Sequence, residues 1–272
     1  MKIFISADIE GVAGVVNPQH GAPGNPEYER ARRLMTEEVN AAIAGAFDAG
    51  ATEVLVNDSH GPMINLLPES LDPRAELILG RPKPGGMFAG LTAEHAGAFC
   101  TGYHSGAGRH GVLAHTVSGF AYAGIRVNGI DCAEAILYGA YAGSLGVPVL
   151  MLSGDDQLET QCRPHFPEAK FAVVKHALSN RAARAVSPDT ARQRIRAAAE
   201  QALRNRSACK PLIIPPPHRL ELDLTSMVLA DFACSIPVAE RVSPRTVAFK
   251  ADDMAGVIGW VAAISTMSSV LR

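Results

Sequence analysis

Lys2-Ile-Phe-Ile-Ser-Ala-Asp-Ile-Glu-Gly11 runs from a short apolar segment directly into two acids. The same construction recurs along the chain. Glu53-Val-Leu-Val-Asn57 leads into Asp58-Ser-His60-Gly61, and Ala98-Phe-Cys-Thr101 into Gly102-Tyr-His104-Ser-Gly106. Val147-Pro-Val-Leu-Met-Leu152 leads into Ser153-Gly-Asp155-Asp156. Helical stretches separate these strands. Tyr28–Ala49 carries Leu34, Val39, Ile43 and Phe47 at roughly helical intervals and is closed by Gly50; Ala133–Ser144 and Pro188–Arg204 are the others. Leu77–Gly80 and Lys170–Lys175 read as further short strands, and Phe120–Asn128 as a strand or hairpin arm ending at the turn Asn128-Gly129. Continuous apolar strands alternating with helices predict an α/β fold, its mostly parallel central sheet covered by helices on both faces. After residue 205 the prolines of Lys210-Pro-Leu-Ile-Ile-Pro-Pro-Pro217 punctuate the chain. Leu220–Leu224, a helix near Ser226–Phe232, Thr246–Lys250 and a final helix then form a β-α-β-α pattern. The expected division is an α/β metal-binding domain over residues 1–205 and a smaller C-terminal α+β domain over residues 206–272.

Composition excludes several functions. Of 272 residues, 47% are apolar and 19% charged, and the formal net charge is -2. The one Arg-rich stretch, Arg192–Arg206, has its charges at helical spacing and reads as the wet face of a helix, so no nucleic-acid partner is expected. Five cysteines, Cys100, Cys132, Cys162, Cys209 and Cys234, are odd in number and form no C-x-x-C pair, which fits a reducing compartment. Asp8 and Glu10 interrupt the N-terminus before a signal-peptide core could form. The longest apolar run, Ala255–Ile264, is about half the length of a membrane span. A cytoplasmic protein with no membrane partner is the expectation.

Ligands of open α/β sheets sit beyond the carboxyl ends of the strands, which is where Asp8, Glu10, His60 and His104 fall. Glu134 lies in the first turn of the helix feeding the Val147–Leu152 strand. Three carboxylates and two imidazoles suit zinc, with manganese, cobalt or iron as alternatives, and disfavour a thiolate site. Five donors exceed one tetrahedral catalytic zinc, which takes three protein ligands. A carboxylate shared between two ions about 3.5–4 Å apart accommodates the excess, and Asp8 is the candidate bridge. Other polar residues have plainer readings. Asp155 and Asp156 can cap a helix starting near Gln157, Asp58 can close a turn, and His110 reads as an exposed loop residue. Gly106-Ala-Gly108-Arg-His-Gly111 matches G-x-G-x-x-G, but no amphipathic helix follows to complete a dinucleotide site. Neither a phosphate-binding G-x-x-x-x-G-K-[ST] nor a G-x-S-x-G nucleophile elbow occurs.

Ser6-Ala-Asp8-Ile-Glu10-Gly11 resembles the S-x-D-x-E-G signature of the zinc-dependent D-aminopeptidases of dipeptide-transport operons. The likeness continues through Asn57–Gly61, Gly102-Tyr-His104 and His115. It then runs through Val127-Asn-Gly129 with Glu134 beyond it, and Gly146–Val149 leading to Ser153–Asp156. The resemblance implies that Asp8, Glu10, His60, His104 and Glu134 ligate two zinc ions and that His115 is catalytic. It also implies short peptides with an N-terminal D-residue such as D-Ala as substrates, and a homodecamer of two pentameric rings enclosing the active sites. Asp131, in Ile130-Asp-Cys-Ala-Glu134, is a competing carboxylate beside the last ligand. A two-metal phosphohydrolase, another amidohydrolase and a non-catalytic metal- or peptide-binding protein are the rival classes.

Overall fold

The computed structural model describes residues 1–272. In chain order the elements are β1 (Lys2–Ala7), α1 (Pro26–Asp48), β2 (Glu53–Asp58), β3 (Ala75–Ile78), β4 (His95–Tyr103), β5 (Tyr122–Val127), β6 (Ile130–Asp131), α2 (Glu134–Ser144), β7 (Val149–Asp155) and α3 (Asp156–Cys162). They continue as β8 (Lys170–Ser179), β9 (Ala182–Ala185), α4 (Pro188–Arg204), β10 (His218–Leu224), α5 (Met227–Ala233), β11 (Glu240–Arg241), β12 (Thr246–Ala251) and α6 (Met254–Ser268). The seven-stranded main sheet has the order β3-β2-β1-β4-β7-β8-β9. All its neighbours are parallel except β9, which turns back antiparallel on β8. The chain builds outward from β1 through β2 to β3 and then returns to β4 on β1's other side. The order therefore reverses between β1 and β4, the position at which such sheets bind ligands.

Alternation along β1 explains its burial. Ile3, Ile5 and Ala7 face one core with α1, α4 and Val174 of β8, whereas Phe4 faces a second core. That second core joins α2, α6 and the inner residues of a five-stranded antiparallel sheet, order β11-β12-β10-β5-β6. The fold is α/β as expected, but the sheets do not follow the expected division of the chain at residue 205. β5 and β6 lie within the first segment yet pair with the second sheet, β5 directly on β10. Asn128 and Gly129 both have positive φ, 50° and 81°, and form the turn that joins them. Helix starts follow their capping chemistry: the Asn25 side chain accepts from the Glu27 amide ahead of Pro26, and Ser187 accepts from Thr190 ahead of Pro188. The apolar stretch at the C-terminus is longer than the sequence run suggested. Met254–Leu271 would suffice by length and composition to cross a bilayer, but one face of α6 (Val257, Val261, Ile264) is buried in the second core.

Candidate metal centre

The chain segments at the ends of β1 and β4 meet at the reversal point because glycine lets them approach. The Gly11 amide donates to Gly102 O at 2.7 Å, and the Asp8 amide to Thr101 O at 2.8 Å. A Cβ on Gly11 would lie 2.0 Å from Tyr103 O, and one on Gly102, whose φ is +69°, would lie 2.1 Å from Asp8 O. Underneath, Ser6 Oγ lies 2.6 Å from Ser59 Oγ and 2.7 Å from the Tyr103 hydroxyl, so the ends of β1, β2 and β4 share one buried polar cluster. Lys175, fully buried on β8, donates to the carbonyls of Glu10, Val12 and Val15 and fixes the loop after Asp8. Burial lowers its ammonium to about 8.

The five expected donors converge. His60 Nδ1 lies 3.3 Å from Asp8 Oδ1 and 2.9 Å from Glu10 Oε2. His104 Nε2 lies 3.3 Å from Asp8 Oδ2 and 3.3 Å from Glu134 Oε2. Asp8 therefore stands between two groups, with one oxygen toward each. Asp8, Glu10, His104 and Glu134 are buried, and His60 is nearly so. Glu134 occupies the first position of α2, where the helix dipole favours a carboxylate, and its Oε1 accepts the Val117 amide at 2.6 Å.

The outward nitrogen of each ring is fixed by a backbone carbonyl. His60 Nε2 is 2.9 Å from Gly21 O and His104 Nδ1 is 2.9 Å from Ser105 O. A carbonyl can only accept, so those nitrogens carry the protons in the neutral rings, and His60 Nδ1 and His104 Nε2 are lone pairs facing the carboxylates. Burial disfavours charge on both rings, yet Glu10 and Asp8 around His60, and Glu134 and Asp8 around His104, raise both well above the ordinary histidine range. Against its own burial, Asp8 is held well below the usual carboxylate range by the neighbouring His104 and His60 rings. Glu10 Oε2, His104 Nε2 and Glu134 Oε2 are buried without a hydrogen-bond partner. Unsatisfied buried donor atoms of this kind, all of metal-ligand type, are what a cation site requires. The residues fit zinc.

His115 joins them less tightly. Its Nδ1 is 2.8 Å from Leu113 O, and its Nε2 is 3.9 Å from both Glu10 Oε1 and Glu134 Oε1. Its ring stacks on His104 with centroids 4.3 Å apart, and a quarter of its side chain remains exposed. The competing acids go elsewhere. Asp131 pairs with Arg109, Asp155 caps α3 and accepts from Val112, and Asp156 accepts from Ala177. Gly106–Gly111 is followed by irregular chain, and His110 in it is exposed. Sequence reasoning missed the segment before the third strand-end. Arg81, Pro82 and Lys83 line the pocket over the centre, together with Ala262, Ser265 and Thr266 of α6. The 81–83 segment has no periodic signal by which it could have been found.

The profile of the D-aminopeptidase family matches residues 1–263. This chain belongs to that family. A D-aminopeptidase of Bacillus subtilis (strain 168) is 38% identical over 255 residues, which is 93% of each chain. Among solved structures, the Zn-dependent D-aminopeptidase DppA from Bacillus subtilis, described as a self-compartmentalizing protease, superposes with a TM-score of 0.96 at 35% identity. The match covers 99% of this chain and 98% of that one. This chain and that D-aminopeptidase thus share the fold over nearly their whole lengths. Membership also decides between the rival classes: the enzyme is a peptidase rather than a phosphohydrolase.

Proposed function

We propose that this D-aminopeptidase removes an N-terminal D-residue such as D-Ala from short peptides, using two zinc ions held by Asp8, Glu10, His60, His104 and Glu134. The observation that carries it is the two-sided placement of Asp8, with His60 and Glu10 about one oxygen and His104 and Glu134 about the other. Zinc, when bound, supplies a Lewis acid for the scissile carbonyl and lowers the pKa of a water toward about 7. Asp8 would be shared between the two ions, and Glu10, His60, His104 and Glu134 would complete their ligands. His115 moves the proton: Leu113 O holds its Nδ1–H, leaving Nε2 free to accept a proton and deliver it to the leaving amine. Its partial exposure, with that residue lining the pocket, supports the proton-transfer role over that of a ligand. Stereochemistry comes from the walls, Met63, Met87, Val117 and Tyr138 among them, which accept a side chain on one side of the anchored backbone. The self-compartmentalizing description of the solved relative supports a closed homo-oligomer, for which a decamer of two pentameric rings acting in the cytoplasm is the proposed form. Residues 206–272 form the smaller domain, completed by the β5–β6 hairpin.

The test is a matched pair of dipeptides with D-Ala or L-Ala at the N-terminus, compared by kcat/KM. A clear D-preference supports the assignment; equal rates or an L-preference would remove the stereochemical claim. Equal turnover of N-acetylated and free peptides would remove the aminopeptidase claim.

A further inference from the structure

The pocket over the candidate metal centre has two kinds of charge in its lining. Asp8, His60, His115 and Glu134 belong to the centre, whereas Arg81 and Lys83 belong to neither the ligand set nor the proposed proton path. Both cations sit on the His60 side. Lys83 Nζ donates to Asp58 O at 2.6 Å and Arg81 Nη1 to Gly61 O at 3.1 Å, the carbonyls that bracket His60. Neither side chain hydrogen-bonds to a carboxylate. Burial pushes the Lys83 ammonium down to about 8, the response of a cation that lacks an adequate counter-charge. A strut for the His60 loop would not require two cations, nor would it require them to face the cavity. An anion entering there would meet an ammonium and a guanidinium already oriented, and charge-assisted bonds to such pairs are the strong ones.

We propose that Arg81 and Lys83 form a subsite for the free C-terminal carboxylate of the substrate, so that the enzyme selects short zwitterionic peptides. The inference rests on the peptidase reading above and adds to it a reason for short substrates that resides in a single subunit. A peptide anchored by its N-terminal residue at the metal centre brings its carboxylate to Arg81 and Lys83 only if few residues intervene. The cavity, about 210 Å³, is below the ~300–1,000 Å³ usual for drug-sized ligands and suits such a molecule. Longer or C-terminally blocked chains forgo the contact.

The experiment compares D-Ala-D-Ala with D-Ala-D-Ala amide on the zinc-loaded protein and on Arg81→Met, Lys83→Met and the double variant. The wild type is expected to favour the free acid in kcat/KM by about ten- to a hundredfold, chiefly through KM. That ratio should shrink in each single variant, approach one in the double variant, and be largely retained in Lys83→Arg. Equal wild-type rates on acid and amide would overturn the subsite while leaving the peptidase standing. Variants that lower both rates by one common factor would show a strut and overturn it too. Failure to cleave either peptide would sink the peptidase reading and the subsite with it.

Discussion

Gly11→Ala tests whether the close approach of β1 and β4 builds the centre. The new Cβ would lie 2.0 Å from Tyr103 O, 2.4 Å from Gly102 C and 2.6 Å from Gly102 O, all backbone atoms that cannot rotate away. Ordinary contact requires the segments to part by more than an ångström. That movement breaks the 2.7 Å hydrogen bond from the Gly11 amide to Gly102 O. Overpacking of this kind costs about 1–3 kcal/mol, and the lost bond about 1 kcal/mol more. At about 2–4 °C per kcal/mol for a chain of this size, Tm should fall by roughly 5–15 °C. The same displacement carries Asp8 and Glu10 away from His104. Metal sites tolerate about 0.2 Å in ligand distance, so zinc affinity should fall at least about tenfold. Thermal unfolding of metal-free protein and competition titration with a chelator read the two effects separately. Gly259→Ala is the control, because a Cβ there meets nothing within 4 Å and the residue lies within α6; it should be neutral or stabilise by up to about 1 kcal/mol. Wild-type Tm and zinc affinity in Gly11→Ala would refute the reasoning.

Glu38 offers a pH test away from the centre. It is buried, accepts the Ala13 amide at 2.9 Å, leaves Oε2 unpartnered, and is pushed up by burial to about 7. Its folded value exceeds its unfolded value, so its contribution is fully present below about pH 4.5 and is lost as pH rises through about 7. Glu38→Gln should therefore gain stability relative to wild type between pH 5 and 8; parallel pH profiles would contradict this. His115→Ala should retain its metal and lose about 10²–10⁴-fold in turnover. Loss of metal instead would make His115 a ligand, which its proximity to His104 and Glu134 makes a sharp alternative. Light scattering should show a closed oligomer near ten chains, and a monomer at working concentration would refute the enclosed chamber.

The convergence of Asp8, His60 and His104 was legible in the sequence because each follows its strand within a few residues, so local order alone puts them at one sheet edge. Glu134 was harder, since a helix start satisfies an acid whether or not a metal is near; its burial and unpartnered oxygen distinguish it from Asp131, which Arg109 occupies. What remained hidden depends on distant chain. Lys175 reads as the polar end of a strand, yet its amine is used by carbonyls some 160 residues away. β5 reads as part of the first domain because nothing in Tyr122–Val127 encodes its pairing with β10. Arg81 and Lys83 lie in irregular chain, where composition suggests only a loop.

Metal stoichiometry tests the central claim most directly. Protein purified without chelator should contain two zinc equivalents per chain by elemental analysis. Asp8→Ala should lose both, whereas His60→Ala or His104→Ala should weaken mainly one. One reproducible equivalent in the wild type, unchanged by added zinc, would contradict the two-metal account.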